Sequence, residues 1–319
     1  MNDGEGYDLP EEQYKAFETE LQTAAAAWFS KKGHAVREGM DYCLSEPYLW
    51  HHNIILPEVV RLIHRTSQTW KARNPGLDGC LHGFLYHGLS SQAMGFNLLG
   101  PLVVRKDLGP LKDAFTAIGG KWPLSSPYSH FEYFNRRVFG ERHGVPTCLD
   151  FALTNRNTGL FIEVTLAEPG FDGCSFHKDG LCDGKNPCAF GKIAECPLTL
   201  KGRTYWERME KFGLGEAALI DGDTCPFVNH YQFFQELMFA LASGGVFTLL
   251  YDERSPVFIR RDCDGNLVGG LCKRLSEVLP KHVWSRVAAL SVQGVVRAIE
   301  ATGRHKDWIG SFKEKYGIK

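Results

Sequence analysis

The chain has 319 residues, of which 44% are hydrophobic and 23% are charged, and its formal net charge is −1. This composition is typical of a globular protein with a sizeable core, and it excludes the strongly basic surface of a protein that coats nucleic acid. We expect no membrane span because there is no run of about 18 apolar residues, and we expect a cytoplasmic protein because the acidic N-terminus lacks an apolar signal stretch and ten cysteines favour a reducing compartment.

Helical periodicity and turn signals divide the chain into predicted elements. Helices are predicted at residues 13–30, 55–72, 90–104, 108–119, 229–244, 275–301 and 304–317. The helix at 90–104 should be buried, with Ser90 and Ser91 as N-cap candidates and an end at Gly100-Pro101. Strands are predicted at residues 129–139, at 245–253 and in both arms of a hairpin at 148–168. Residues 170–204 are rich in Gly and Cys and should form a loop-like insertion.

No linker divides the chain convincingly, so we predict one core with additions at both ends. An N-terminal tail and helical extension should occupy residues 1–79. The core should occupy residues 80–260 and include the insertion, and C-terminal helices should follow at 261–319.

Two carboxylates interrupt the apolar arms of the hairpin, whose sequence is CLDFALTNRNTGLFIEVTLAE. With the turn centred between Arg156 and Asn157, Asp150 lies opposite Glu163. Side chains alternate between the faces of a strand, so both carboxylates and Thr165 share one face. The other face then carries three apolar pairs, namely Leu149 with Val164, Phe151 with Ile162, and Leu153 with Leu160.

Directly opposed residues have Cβ atoms about 5 Å apart, and two carboxylates this close repel each other unless one is protonated or a cation lies between them. A divalent cation such as Mg²⁺ is the economical explanation. The alternative is a solvent-facing pair in a sheet with one hydrated side. A one-residue shift of the turn would separate the two carboxylates, but the matched apolar pairs argue against it.

An ordered set of motifs accompanies this hairpin. The set consists of SSQAMGFNLLGPL at 90–102, FEYFNRR at 131–137, Asp150, IEVT at 162–165, AEPGF at 167–171, GRTYWE at 202–207 and HYQFFQE at 230–236. In this order the motifs resemble a restriction-endonuclease branch of the PD-(D/E)XK nuclease superfamily, over residues 80–260.

The resemblance implies an α/β (α+β) restriction-endonuclease-like core. This core would be a four-stranded mixed sheet in the order αβββαβ, flanked by helices, with further helices at both ends of the chain. Asp150 and Glu163 would ligate Mg²⁺ or Mn²⁺, with the carbonyl of Val164 as a further ligand. Gln232, on the helix after the insertion, would face the metal site. The implied substrate is DNA, with RNA left open.

Thr165 departs from the family pattern, which has a lysine two residues after the glutamate. That lysine normally positions the attacking water and stabilises negative charge on the phosphate. Lys178, Lys192 and Lys201 lie in the following segment and are candidates to replace it.

Two further carboxylates are candidates for the site. Glu132, on the preceding strand, could be another metal ligand or could hold an arginine; the alternative is a surface residue beside Arg136 and Arg137. Glu168 should lie beyond the strand and support the site from there.

Cys174, Cys182, Cys188 and Cys196 lie in a segment too rich in glycine to build a core. Four such ligands predict a zinc site, and an iron–sulfur cluster or scattered thiols are the alternatives. The remaining cysteines are predicted to be small buried hydrophobic residues, namely Cys43, Cys80, Cys148, Cys225, Cys263 and Cys272.

The segment KGRTYWERMEK at 201–211 mixes basic and aromatic residues. It suits phosphate contact and base stacking, or else a solvated helix with a buried aromatic edge.

Taken together, these features favour a metal-dependent DNA endonuclease of restriction or defence type, which hydrolyses phosphodiester bonds. One alternative is a catalytically degenerate protein of the same fold that binds nucleic acid or acts as a regulatory module. Another is an unrelated metal-binding structural protein. A homodimer is left open.

Overall fold

The computed structural model describes residues 10–122, 125, 127–155, 158–215, 223–262 and 264–319. The expected centre of the hairpin turn, Arg156 and Asn157, lies outside these residues, as do Cys263 and most of the predicted N-terminal tail. Within them the fold is mixed α/β, and none of their helices is both long and apolar enough to cross a membrane.

Helices and strands are distributed along the whole described chain. The helices, α1 to α12 in chain order, span Glu11–Lys32, Pro57–Arg73, Ser91–Val104, Gly109–Ala117, Ser175–Lys178, Pro197–Leu200, Tyr205–Lys211, Phe227–Ala242, Leu271–Val278, Lys281–Trp284, Val292–Ala301 and Lys306–Tyr316. The strands, β1 to β9, span Val36–Arg37, Met40–Leu44, Tyr128–Phe134, Cys148–Thr154, Gly159–Val164, Val246–Tyr251, Arg260–Arg261, Leu267–Gly269 and Val287–Ser291. Turns of 3-10 helix cover Pro47–Asn53 and Ile193–Glu195. The predicted insertion at 170–204 contains three helical turns of three or four residues, namely α5, the 3-10 turn at Ile193–Glu195 and α6.

Among the described residues, five strands form the central sheet in the order β3-β4-β5-β6-β9. The first three pair antiparallel, whereas β6 and β9 join in parallel. The four predicted strands are present, and β9 adds a fifth at the edge. β9 lies within 275–301, where the sequence predicts one continuous helix. That prediction is wrong because periodicity alone does not distinguish a short apolar strand from a segment of buried helix.

Two apolar cores lie on opposite faces of the central sheet. On one face α3 packs on β5, and α1, α11 and α12 contribute to the same first core. On the other face α7 and α8 pack in the second core. The Ser90 hydroxyl caps α3 by accepting a hydrogen bond from the N–H of Ala93. The helix then continues through Pro101 to Val104 instead of ending there, because burial on all sides outweighs the lost backbone hydrogen bond.

The alternation of side chains between the two faces of the sheet is interrupted at one point, where Glu132 of β3 lies opposite Asp150 of β4. Glu132 has a φ of 53°, a left-handed value that is strained for a residue with a side chain. On one side of this point Phe151 lies in the first core, whereas on the other side Leu149 lies in the second. The predicted hairpin register is confirmed as far as Phe151. The predicted shared face of Leu149 and Val164 is wrong, because β4 changes face here.

Gly100→Ala should destabilise the protein by about 1–3 kcal/mol, the usual effect of overpacking a core. An added Cβ would lie 2.7 Å from Cγ1 of Val59, a fully buried β-branched residue of α2. Gly310→Ala in α12 is the matched control, since nothing lies within 4 Å of an added Cβ there. It should be neutral or stabilising by up to about 1 kcal/mol through helix propensity. Urea unfolding measures both variants, and equal effects would contradict the close packing of α2 on α3.

Candidate functional site

A cavity of about 780 Å³ lies at the carboxyl end of β5, beside β4 and α8. The residues predicted for the nuclease site all line it, namely Glu132, Asp150, Glu163, Val164, Thr165 and Gln232. Ligands of sheets with parallel strands bind at the carboxyl ends of those strands, and β5 and β6 are parallel. The fold thus brings the predicted residues together in one space.

Asp150 is tied to the neighbouring strand through its side chain. Its Oδ2 atom accepts a hydrogen bond of 2.9 Å from the backbone N–H of Val164. Burial raises the pKa of Asp150 to about 7, even though the Val164 N–H lowers it, and the charge of Glu168 raises it further. A carboxyl group with this pKa can carry either a proton or a negative charge near neutral pH.

Glu163 lies on the most buried strand and is itself 8% exposed. Its Oε1 atom accepts a hydrogen bond of 2.7 Å from Nε2 of Gln232. Burial raises the pKa of Glu163 well above its ordinary value, and the charge of Asp150 raises it further. This burial argues against the alternative of a hydrated, solvent-facing carboxylate pair.

Glu132 is also buried and is held from two sides. Its Oε1 atom accepts a hydrogen bond of 2.7 Å from Nε2 of Gln92, and the thiol of Cys148 lies 3.6 Å from Oε2 as a donor. Burial raises the pKa of Glu132, and repulsion from Asp150 adds to this. The burial of Glu132 excludes the alternative of a surface residue beside Arg136 and Arg137. Cys148 and Cys80 line the site cavity and are only partly buried, so the prediction that they are small buried hydrophobic residues is wrong.

Glu236 is a buried carboxylate that was not predicted. It lies one helical turn after Gln232 on α8 and is 3% exposed. Within the described part of the protein its Oε2 atom has no hydrogen-bond partner. Burial raises its pKa, and a hydrogen bond with Gln232 lowers it. The spacing of four residues in HYQFFQE, which places Gln232 and Glu236 on one helix face, is the signal that could have found it.

Glu168 follows β5 and lines the same cavity. The N–H of Leu166 donates a hydrogen bond of 2.6 Å to it, and the side chain of Ser91 lowers its pKa. Burial nevertheless raises the pKa of Glu168. The start of α3 therefore contributes both Ser91 and Gln92 to the site, two roles that the SSQA motif did not predict.

Thr165 is buried just beyond the end of β5. Its backbone N–H donates a hydrogen bond of 2.8 Å to the carbonyl of Leu250, and its hydroxyl lies 3.5 Å from the same oxygen. This position is committed to the connection with β6, although the residue still lines the cavity.

Of the three candidate lysines, Lys178 lines the site cavity. Its Nζ atom lies 3.2 Å from a carboxylate oxygen of Asp172, and both side chains are more than half exposed. Lys192 lines a different cavity, and the Nζ atom of Lys201 lies over the ring of Phe176. Of these three lysines, Lys178 alone lines the cavity together with the carboxylates.

The donors at this site are carboxylate and main-chain oxygens, the ligand type that Mg²⁺ and Mn²⁺ prefer. Burial is the largest cause of the raised pKa values of Asp150, Glu163 and Glu236, and a bound cation would favour their charged forms. In the described ranges, no group of three or more His, Cys, Asp and Glu side chains is already arranged to hold a metal ion. The predicted ligand set contains two such side chains, Asp150 and Glu163, together with the carbonyl of Val164. The absence of a group of three therefore does not contradict it.

The predicted cysteine set is rearranged in the structure. Cys174, Cys182 and Cys196 line a separate cavity of about 320 Å³, and Cys225 lines it with them. Cys188 is exposed and lies outside this lining. The prediction that Cys225 is a plain core residue is therefore wrong. Two other cysteines are buried as predicted, namely Cys43 and Cys272.

In the basic and aromatic segment at 201–211, the residues Tyr205–Lys211 form α7, and one edge of this helix is buried. Tyr205 and Trp206 are packed in the second core, so their rings are not available for base stacking. Arg203 pairs with buried Glu141 at 3.1 Å, and Arg208 donates hydrogen bonds to a backbone carbonyl. Packing rather than nucleic-acid contact accounts for these residues.

Comparison with known proteins identifies the family. The family model described as Restriction Endonuclease associating with ARP matches residues 22–317, which is nearly the whole chain. The chain therefore belongs to this restriction-endonuclease family, and the membership supports a nuclease role in restriction or defence. Comparisons with curated proteins and with solved structures returned no match.

The buried carboxylates predict that the metal-free protein loses stability as the pH rises. For Asp150 the folded protein keeps a proton that the unfolded chain releases, so the free energy of unfolding falls between the ordinary pKa of 3.8 and about 7. Asp150→Asn keeps an acceptor for the Val164 N–H and removes this loss. At about pH 8 in EDTA it should raise the free energy of unfolding by at least about 1.4 kcal/mol, the value of one pKa unit.

Chemical denaturation of wild type and variants at about pH 5 and pH 8 measures this effect. Asp41→Asn, at an exposed position of β2, is the matched control and should leave the pH dependence unchanged. Equal stability of the wild type at both pH values, or equal behaviour of the two variants, would contradict the burial of charge at Asp150.

Proposed function

We propose that the protein is a metal-dependent DNA endonuclease of restriction or defence type, which hydrolyses phosphodiester bonds. The proposal depends on one observation, the convergence of Asp150, Glu163, Gln232 and Glu132 on a single cavity. The family match supports nuclease chemistry, and the motif resemblance to PD-(D/E)XK enzymes supports DNA as the substrate.

Asp150, Glu163 and the carbonyl of Val164 would hold Mg²⁺ or Mn²⁺. Burial raises the pKa of both carboxyl groups, and the charge of Asp150 raises the pKa of Glu163 further. A cation bound beside them would relieve both effects. When bound, a divalent ion supplies positive charge that polarises the scissile phosphate and lowers the pKa of water.

The protein's own residues would orient the reacting groups. The amide of Gln232 fixes Glu163, and the amide of Gln92 fixes Glu132. Thr165 can hydrogen-bond water but brings no charge. Lys178 would replace the family lysine, since its ammonium group can stabilise negative charge that develops on the phosphate.

A basic wall beside the site suits the phosphates of a nucleic acid. Arg65 and Arg73 of α2 line a neighbouring cavity of about 230 Å³, and Trp70 and Glu132 line both this cavity and the site. Cationic side chains next to the reaction centre are typical of backbone binding. RNA carries the same phosphates, so the choice of DNA depends on the family and not on this wall.

A second candidate function is a catalytically degenerate module that binds nucleic acid without cutting it. Thr165 favours this alternative, because the position that normally carries a lysine is neutral and engaged with β6.

Asp150→Asn and Glu163→Gln should each reduce plasmid cleavage in Mg²⁺ or Mn²⁺ by at least about a hundredfold, because each removes a charged metal ligand. Both substitutions neutralise buried groups, so the variants should remain folded, and circular dichroism checks this. Glu38→Gln, at an exposed position, is the control and should cut like the wild type.

Undiminished cleavage by both variants would overturn the proposed site. A wild type that cuts neither DNA nor RNA with any divalent metal, yet binds DNA with a steep salt dependence, would favour the degenerate module. A protein that neither cuts nor binds would refute the nucleic-acid function itself.

Lys178→Ala should lower the rate of cleavage by about a hundredfold to a thousandfold, whereas Lys192→Ala should leave it unchanged. If Lys178 replaces the family lysine, adding Thr165→Lys to Lys178→Ala should restore part of the lost rate. Single-turnover cleavage rates measure all three variants. Equal rates for Lys178→Ala and Lys192→Ala would contradict the proposed role of Lys178.

A further inference from the structure

The cysteine cavity is formed by three chain segments that lie apart in sequence. Cys174 and Cys182 flank α5, Cys196 precedes α6, and Cys225 lies just before α8. The four thiols line one cavity of about 320 Å³. Cys188 instead lies near Gly215, where an added Cβ would be 3.8 Å from its sulfur. The selection of these four thiols follows from the tertiary structure and not from sequence spacing.

Backbone hydrogen bonds hold these segments together. The N–H of Cys174 donates to the carbonyl of Phe227 at 2.7 Å, and the N–H of Cys225 donates to the carbonyl of Gly184 at 2.7 Å. The bridge between Lys185 and Thr224 joins the same two stretches. The cavity wall is therefore held together by backbone hydrogen bonds even though α5 and α6 are only one turn long.

One of the four sulfurs accepts a hydrogen bond from a side chain of the protein. The indole Nε1 of Trp206 donates to the sulfur of Cys196 at 3.3 Å. Donors of this kind stabilise a thiolate, which is the form that binds metal.

We propose that Cys174, Cys182, Cys196 and Cys225 bind one Zn²⁺ as a structural site. Four thiolates suit zinc in a closed tetrahedral site, and metal binding can organise a segment with little core of its own. No group of metal-ligating side chains in the described residues already has coordinating geometry, so the thiols would draw together on binding and release their protons. This site is separate from the proposed nuclease site and does not depend on it.

The metal content of the full-length protein tests the proposal. Protein purified without chelator should contain about one zinc per chain by mass spectrometry of the metal. Cys225→Ser should lose most of this zinc, and Cys188→Ser, the matched control, should retain it. Replacement with Co²⁺ should give the thiolate-to-metal absorption of a tetrahedral site in the wild type and in Cys188→Ser.

Alkylation mapping keeps the proposal testable if Cys225→Ser does not fold. In the native wild type, the four proposed ligands should be protected from N-ethylmaleimide until zinc is removed by a chelator, whereas Cys188 should react at once. Zinc-free protein with reactive or disulfide-bonded thiols would overturn the proposal. Loss of zinc from Cys188→Ser but not from Cys225→Ser would also overturn it. The presence of iron and sulfide in place of zinc would do the same.

Discussion

The burial of several carboxylates at one end of the central sheet is the constraint on which the arrangement of the two layers depends. A buried carboxylate is unfavourable unless hydrogen bonds and charge compensate for lost hydration. Glu132 is held by Gln92 of α3, and Glu163 is held by Gln232 of α8. α3 and α8 pack on opposite faces of the sheet. Each helix lies where the amide of its glutamine reaches one of the carboxylates. The amides are neutral, and they leave the negative charge to be balanced by protons or by a cation.

The strained backbone at Glu132 fits the same constraint. A regular β3 would continue to alternate, and Glu132 would then point away from the side of α3. The left-handed φ of 53° lets Glu132 meet Gln92 and Cys148 while β4 changes face beside Asp150. Such strain persists only where surrounding contacts hold it, and it concentrates at functional sites. Here it places a third carboxylate against the Asp150 and Glu163 pair.

Much of the site could be predicted because period-two alternation fixes which residues of a hairpin are opposed, and the register from Phe151 onward follows that rule. Motif resemblance supplied Gln232, which a lone sequence pattern would not. The change of face at Leu149 could not be predicted, because a single left-handed residue has no local signature. Glu236 and Cys225 were missed for a related reason, since their surroundings depend on contacts between distant segments.

The same dependence on distant contacts bears on the proposed role of Lys178, a lysine outside the strand. Position 165 is engaged with β6, so the cation of the proposed reaction would come from elsewhere. Lys178 ends α5, and the loop that leads to it is bonded to α8 twice, through Gln232 N–H to the carbonyl of Asp172 at 3.0 Å and through Cys174 N–H to the carbonyl of Phe227 at 2.7 Å. Since α8 also orients Glu163, the lysine and the carboxylate share one support. An insertion held in place at its cysteines would therefore position the charge that the strand lacks.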